Sequence, residues 1–449
     1  MDSFTDFAEG FVFAEWANLE FVLQASSGTV PPPVASSTTF TIDSVSTALA
    51  AKAQWVTTAQ ATILYGKGYT NAGNNGLHYL TADMAATDVI ATVGGSTLVV
   101  ETPSTNASLE IAGLQCAIAD LAFTVSGSTA TLVSAGDIAD WSTLGLFAGQ
   151  FIHFGSATSA GVIQNGLGTG TDNYGYARIT SISTTTINLD KLSSTLATDA
   201  SNAVATDIMF GRFLRNVAVT ADSDDTRYLE RSYQFEAVYP DLGGAATDEY
   251  EYAIGNFANE LALSLPLTDK ATATWGFIGT NADDITASRK TNASAAVGPL
   301  RVVALNTSSD IASLTTDLIT LAADVCFKSL TLTLNNGVTR ENCLGTLGAS
   351  YVNTGLFEVN LEAQLLFTNK EIIAAVTGNT TTTFTAIVRN EDGGLALDIP
   401  ALTFGDGGRE FPVNESVLVN LAGEAFNDPA GTIPDVSLGI SMFARVPTS

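Results

Sequence analysis

The sequence predicts an all-β protein, mainly antiparallel, in which a β-sandwich or barrel domain occurs twice behind two smaller β modules. Three observations carry that expectation. From about residue 62 onward, short runs of Val, Ile, Thr and aromatic residues are punctuated by Gly, Asn, Asp and Ser at strand spacing. Within these runs apolar residues recur with a period of two, which places each set on one face of a sheet. The second half of the chain also repeats its own pattern, the mark of a duplicated unit. Composition agrees: 46% of the 449 residues are hydrophobic, enough for sizeable cores, and only 14% are charged, against about 25% in an ordinary soluble domain.

Residues 1–61 read as an arm and linker with a possible helix. An aromatic-rich start (Phe4, Phe7, Phe11, Phe13, Trp16, Phe21) suggests a short helical lead, and Pro31-Pro32-Pro33 forbids a helix or central strand at that point. Residues 44–61 are Ala-rich and are expected to form one helix. Two stretches then resemble each other, Gly76–Ala82 followed by Thr87–Ile90, and Gly175–Ser181 followed by Thr185–Leu189. Each reads as strand, tight turn and return strand, so small β modules are expected at 62–114 and 120–192.

The internal echo lies further on, with one domain expected at 205–305 and its copy at 306–449. Leu261, Leu263 and Leu265 alternate, then Ala271, Ala273, Trp275 and Phe277 alternate up to Gly279-Thr280-Asn281. Leu330, Leu332 and Leu334 repeat the first set, and Val359, Leu361, Ala363, Leu365 and Phe367 repeat the second up to Thr368-Asn369. These residues are the expected core and inter-strand face. Thr368-Asn369-Lys370-Glu371 fits a capping box, with Thr368 capping and Glu371 reaching back, and Gly378 as the terminator. A helix of about two turns is marginal alone, so it is expected to flank a sheet.

Function classes can be sorted on charge and chemistry. Forty-six acidic against eighteen basic residues leave a formal charge of −28. That disfavours a nucleic-acid grip, which needs clustered Lys and Arg, and disfavours anionic membrane surfaces. The acidic N-terminus lacks the basic and apolar regions of a secretory signal. No window approaches eighteen consecutive apolar residues, so no membrane contact is expected. Cys116, Cys326 and Cys343 lack zinc-ligand spacing and read as buried thiols, with a Cys326–Cys343 bridge left open. His78 and His153 sit in strand patterns and read as half-buried strand residues. The glycines of 166–170 lead into a strand, where a phosphate loop needs a helix. Asp222–Asp225 and Asp283-Asp284 lack the rest of a calcium loop. No catalytic residue, cofactor or metal is therefore expected.

The acidic strand faces are more informative. Glu358, Asn360, Glu362 and Gln364 alternate with the apolar set of 357–367, and Glu230, Ser232, Gln234 and Glu236 do so in 229–239. Such a face is either a solvated outer surface or the lining of an acidic channel.

Several segments resemble the major tail tube proteins of long-tailed bacteriophages, in the branch with a duplicated tube domain. They are Thr70–Gly76, Gly145–Ile152 with Ala177-Arg178-Ile179, Arg227–Tyr233, Asn259–Leu265 with Trp275–Gly279, and Phe443-Ala444-Arg445. The resemblance runs from about 62 to 449. It implies a structural, non-enzymatic virion protein, made in the host cytoplasm. Its subunits would form stacked rings, homotrimeric and pseudo-hexameric or alternatively homohexameric, around a conduit for double-stranded DNA. It further implies tail terminator, baseplate or tip, and tape measure proteins as partners. A surface-layer or adhesin protein is the alternative, and a carbohydrate-active β enzyme a third reading.

Overall fold

The computed structural model describes residues 5–17, 22–25, 34–36, 38–41, 61–81, 90–94, 98–102, 107–157, 163–164, 174–193, 196–216, 228–242, 248–290, 305–316, 326–367, 370–390, 393–411, 413, 416–427, 433 and 436–443. These residues are mostly β, in antiparallel sheets. Residues 44–60 of the helix expected at 44–61, the triple proline, the glycines of 166–170, Asp222–Asp225 and Thr368 lie outside the described residues, while Ala61 is in a strand rather than a helix. The chain divides into two compact units. One comprises Trp16–Phe213, Ile387–Asp398 and Gly439–Ser449; the other comprises Met1–Glu15, Leu214–Ala386 and Ile399–Leu438.

The first unit is built on β1 (Ala61–Lys67), β2 (Gly76–Leu80), β3 (Ser108–Cys116), β4 (Leu121–Ser126), β5 (Thr129–Ser134), β6 (Phe151–Phe154), β7 (Gly175–Ile182), β8 (Thr186–Asp190) and β9 (Thr206–Met209). They form one sheet in the order β2-β1-β3-β9-β6-β7-β8-β5-β4. The segments expected as two modules thus share a sheet, because β9 pairs with β3 on one side and β6 on the other. They share a core as well: Leu64, Leu109 and Leu114 cluster with Phe123, Trp141, Phe154, Ile179 and Ile208. β7 and β8 make the expected hairpin, turning where the Ser183 N–H donates to the Thr186 carbonyl.

Two clusters of charged and polar groups in this unit are paired across the strands. Arg178 on β7 sends Nε and Nη2 to the Asp190 carboxylate at 2.8 and 2.6 Å, and Nη1 to Asp398 at 2.7 Å. At the 70–76 turn, Glu101 accepts from the Thr70 and Asn71 N–H groups and from the Asn71 and Asn74 side-chain amides, at 2.7–3.0 Å.

The second unit contains α1 (Thr5–Val12), β10 (Ser232–Tyr239), β11 (Glu249–Pro266), β12 (Thr272–Ile278), β13 (Phe327–Asn335), β14 (Glu358–Leu366), α2 (Glu371–Thr377), residues 399–410 of β15 (Gly393–Glu410) and β16 (Leu418–Ala425). The sheet order is β10-β11-β13-β14-β16-β15, with β12 also paired to β11. Residues 402–410 of β15 make the pairing to β16. Strands from the expected domain 205–305 and from its expected copy at 306–449 are therefore hydrogen-bonded neighbours, β11 against β13.

The period-two pattern becomes an apolar layer. Leu261 stands opposite Leu334 and then Val359; Leu263 opposite Leu332 and Leu361; Leu265 opposite Leu330 and Ala363. Leu261, Leu330, Leu332, Val359, Leu361 and Leu365 are buried, while Leu263, Leu265, Trp275 and Phe277 are half-buried. Full burial of one such leucine is worth about 1.5–3 kcal/mol. Helix α1 covers the end of this layer at Trp275 and Phe277. Phe7 and Phe11 meet Trp275 and Phe277 at centroid distances of 5.2–6.0 Å, and Arg231 pairs with Glu9 at 2.5 Å.

Helix α2 differs in its ends from the capping-box expectation. It begins at Glu371, with Lys370 at the cap position in helical backbone and no side-chain cap bond. Gly378 keeps a right-handed φ of −82°, donating its N–H to the Ala374 carbonyl. The left-handed turn falls one residue later, on Asn379 with φ 46°, a residue type that tolerates that region. Among the described residues no helix is long and apolar enough to cross a membrane.

Candidate functional site

The face of the second unit's sheet opposite the leucine layer is the candidate site. Register assembles it row by row. Glu260, Asn335 and Glu358 lie side by side across β11, β13 and β14. The next row runs Ala262, Thr333, Asn360, Glu424 and Thr403; then come Ser264, Thr331, Glu362 and Ala422; then Pro266, Ser329, Gln364, Asn420 and Gly408. β12 extends the first three rows with Gly276, Thr274 and Thr272. Every position is polar, small or acidic. Among the described residues of these rows there is no lysine or arginine.

The sequence-derived residues Glu358, Asn360, Glu362 and Gln364 all fall on this face, with Glu362 exposed and the other three half-buried. Gln364 Nε2 donates to Asn420 Oδ1 at 3.0 Å, and Asn420 Nδ2 donates to Glu410 Oε1 at 2.6 Å, so the amides are tied into a lateral chain. Sequence reading missed Glu260 and Glu424. Glu424 follows Leu421, Ala422 and Gly423, where small residues blur the alternation that marks β14. Glu260 sits beside a register shift between Ala258 and Glu260. Strands are about 4.8 Å apart, so Glu260 and Glu358, two strands apart, stand about 10 Å from one another. Two unit charges at that distance in water repel by only about 0.4 kcal/mol. A sheet can carry this row without losing its fold.

The other expected acidic strand behaves differently. β10 starts at Ser232, and Glu236 is bound by the Arg289 guanidinium at 2.6–3.0 Å and by the Tyr252 hydroxyl at 2.7 Å. Those hydrogen bonds hold its carboxyl below the usual range. Glu236 is a paired residue, not part of an open acidic face.

Residues weighed for chemistry resolve into structure. His153 is fully buried, not half-buried, edge-on to Tyr176 at 4.8 Å. Burial, aided by the Arg389 cation, holds its imidazole down to about 3, so it is neutral at physiological pH. His78 is also buried, 3.3 Å from the Asn74 carbonyl, and lowered by burial. Of the cysteines only Cys116 is buried; Cys326 and Cys343 are exposed, and all three are free. Cys116, Asp120 and Asp137 bring potential ligand atoms within 4.8 Å of one another. Yet Asp120 accepts from Ser134, Gly136 and Asp137 at 2.7–2.9 Å, and burial pushes the Cys116 thiol up, away from the thiolate a metal needs. The arrangement is a turn brace. Asp283 pairs with Lys290.

No curated protein matches the sequence. The family model for phage tail tube proteins matches residues 15–438, so the similarity begins well before residue 62 and takes in part of the expected N-terminal arm. A broad antiparallel sheet with one apolar face, and a match over nearly the entire length, lead to the same place: the chain belongs to the phage tail tube protein family and is a structural component of a virion tail.

Proposed function

We propose that this chain is the repeating subunit of the tail tube, assembling into rings that stack around a bore through which double-stranded genome passes during ejection. The observation that carries the reading is the polar face of the second unit, with Glu260, Glu358, Glu362 and Glu424 in register and no basic residue in its described rows. DNA carries one negative charge per about 1.7 Å of axis. A bore lined by Lys or Arg would neutralise phosphates, release counterions and retain the duplex. A bore lined by carboxylates, amides and hydroxyls repels it weakly and lets it slide, and a Debye length near 8 Å limits how far that repulsion reaches.

Rings of three copies are the favoured symmetry, with six as the alternative. The support is that 205–305 and 306–449 each contribute one 18-residue strand, β11 and β15, to the same sheet. Copies that each carry −28 repel, so association has to come from strand pairing and apolar burial, and closing the sheet removes exposed edges. In this role the chain works with a terminator and a tip at the tube ends and with a tape measure protein inside. Negative-stain microscopy of the purified full chain tests the reading. Tubes with an open bore are expected; monomers at every concentration tried would end it.

A further inference from the structure

Two ladders of the second unit match rung by rung. Between β11 and β12 the rungs include Ala258–Phe277, Leu261–Trp275 and Ser264–Thr272, with a register shift between Ala258 and Glu260. Between β15 and β16 they include Phe404–Gly423, Gly407–Leu421 and Glu410–Leu418, with a shift between Phe404 and Asp406. Adding 146 to both residue numbers of any rung of the first ladder gives a rung of the second (258 to 404, 277 to 423), and the shift moves by the same amount. A bulge is a specific feature of a strand pair, and here it recurs at one place in both.

The elements around the ladders match as well. Each long strand, β11 or β15, has 18 residues. Each is preceded by a strand that pairs with it, Ser232–Tyr239 before β11 and Thr382–Asn390 before β15. A helix lies over the same rung in both. α1 sets Phe11 against Trp275 at 5.2 Å between ring centroids, and α2 lays Ile373 and Val376 over Gly407. The order is helix, strand, long strand, strand each time. Only the step from helix to strand differs. Residues 378–381 suffice between α2 and Thr382, whereas residues 13–231 separate α1 from β10. The ends of that long excursion nevertheless meet. The Leu229 N–H donates to the Phe13 carbonyl at 3.0 Å, Ala14 bridges to Tyr228, and the Phe13 and Tyr228 rings stack at 6.1 Å. Met1–Glu15 and Leu214–Ala386 accordingly fall in one compact unit.

We infer that residues 16–213 are an insertion into the helix-to-strand connection of the first of two copies, and that the matching connection of the second copy, 378–381, is an unused entry point of the same kind, opening on the outer wall of the tube. The first copy then starts at α1, not at residue 205. The outward direction rests on the tube reading. Both helices lie on the leucine face of the sheet, opposite the polar rows, so chain leaving either helix starts on the side away from the bore. The second connection is ready for such use: residues 377–381 are all exposed, and the cost of closing a loop grows only slowly with its length. A module whose own ends lie together asks no more of this connection than residues 16–213 ask of the first.

Adding a module tests this more cleanly than removing one. Deletion of 16–213 would strip Asp398, 1% exposed, of its 2.7 Å pairing with Arg178. The experiment inserts a small single-domain protein with adjacent termini between Thr380 and Thr381 of the full chain. The host chain is expected to keep the wild-type melting temperature and to form tubes at the wild-type concentration. Averaged images are expected to show one added density per chain outside the wall. A chain that melts as wild type but forms no tubes overturns the inference, and so do tubes with the added density in the bore.

A hexahistidine loop flanked by Gly and Ser at the same junction separates an ill-suited module from an ill-suited site. Nickel-bearing gold is expected to mark the outside of assembled tubes along their whole length. Unmarked tubes overturn the outward opening. A loop this small that lowers the melting temperature overturns the equivalence of the two connections. A wild-type chain that never forms tubes ends the tube reading and the outward placement with it, and the equivalence is then judged on melting alone.

Discussion

Arg178 and Glu101 show how single residues set the tolerance of the first unit. Burial alone would lower the Arg178 guanidinium, but Asp398 and Asp190 outweigh it and keep the group firmly charged. Its side chain is 3% exposed, and the partners Asp190 and Asp398 are 13 and 2% exposed. Arg178→Met leaves two carboxylates sharing a dry pocket with no cation, a loss of about 3–5 kcal/mol, read as a lower denaturant midpoint. Arg178→Lys is expected to fall between, since an ammonium cannot make the fork to Asp190 and still reach Asp398. Glu101 is a pH-dependent counterpart. Partial burial raises its carboxyl, but the hydrogen bonds from Asn71, Thr70 and Asn74 prevail and hold it at about 2, against an ordinary 4.5. A carboxyl depressed on folding stabilises the fold above its unfolded value, and that contribution is lost as pH falls from 4.5 towards 2. Glu101→Gln removes it. The melting temperature of the variant is therefore expected to lie below that of the wild type at pH 6, and the two curves should converge on acidification through that window. Parallel curves would show that Glu101 does not contribute in this way.

At the level of the element, Gly10 in α1 tests whether packing outranks propensity. An exposed helical Gly→Ala change gains about 1 kcal/mol. Here a Cβ on Gly10 would run into the Tyr233 ring, whose hydroxyl is already fixed by the Asp6 carbonyl at 2.6 Å. Gly10→Ala is expected to destabilise by about 1–3 kcal/mol through overpacking, and a rise in melting temperature would contradict the docking of α1. What was legible at this scale follows from the length of the pattern. The strands β11, β13 and β14 announce themselves because three or four apolar residues alternate without a break in each. The ends of α2 do not, because a two-turn helix held by packing against β15, where Ile373 and Val376 lie over Gly407, needs no ideal cap. Cys326 and Cys343 were misread because burial of a small thiol depends on where the loop around it goes. Glu424 hides among Ala and Gly, and only its pairing with Asn360 puts it on the acidic face. Strand faces are local properties of the chain, whereas neighbour relations such as β9 between β3 and β6 join residues far apart in sequence, as Met209 with Gly113 and with His153, and leave no periodic trace.

For the whole molecule the question is what the acidic rows do once copies stand around an axis, and charge reversal on β14 answers it. Glu362 is exposed and Glu358 half-buried, and neither has a salt-bridge partner among the described residues. Glu358→Lys/Glu362→Lys should therefore alter folding stability by little, within about 0.5 kcal/mol per site, and should leave tubes of normal width. Its effect on passage is different in kind. Each copy trades two repulsive groups for two that neutralise phosphate, and the exchange recurs in every ring that the duplex crosses. Counterion release then favours a held duplex over a sliding one, with a steep dependence on salt. Virions whose tails carry the double variant are expected to eject DNA slowly or to stall at low ionic strength, and to recover as salt screens the new contacts. A Glu358→Gln/Glu362→Gln control, which removes charge without reversing it, should eject at close to the normal rate, because weak repulsion is not what drives the genome out. Normal ejection by particles shown to contain the lysine variant would place this face away from the bore and turn the acidic rows into an outer, solvated surface.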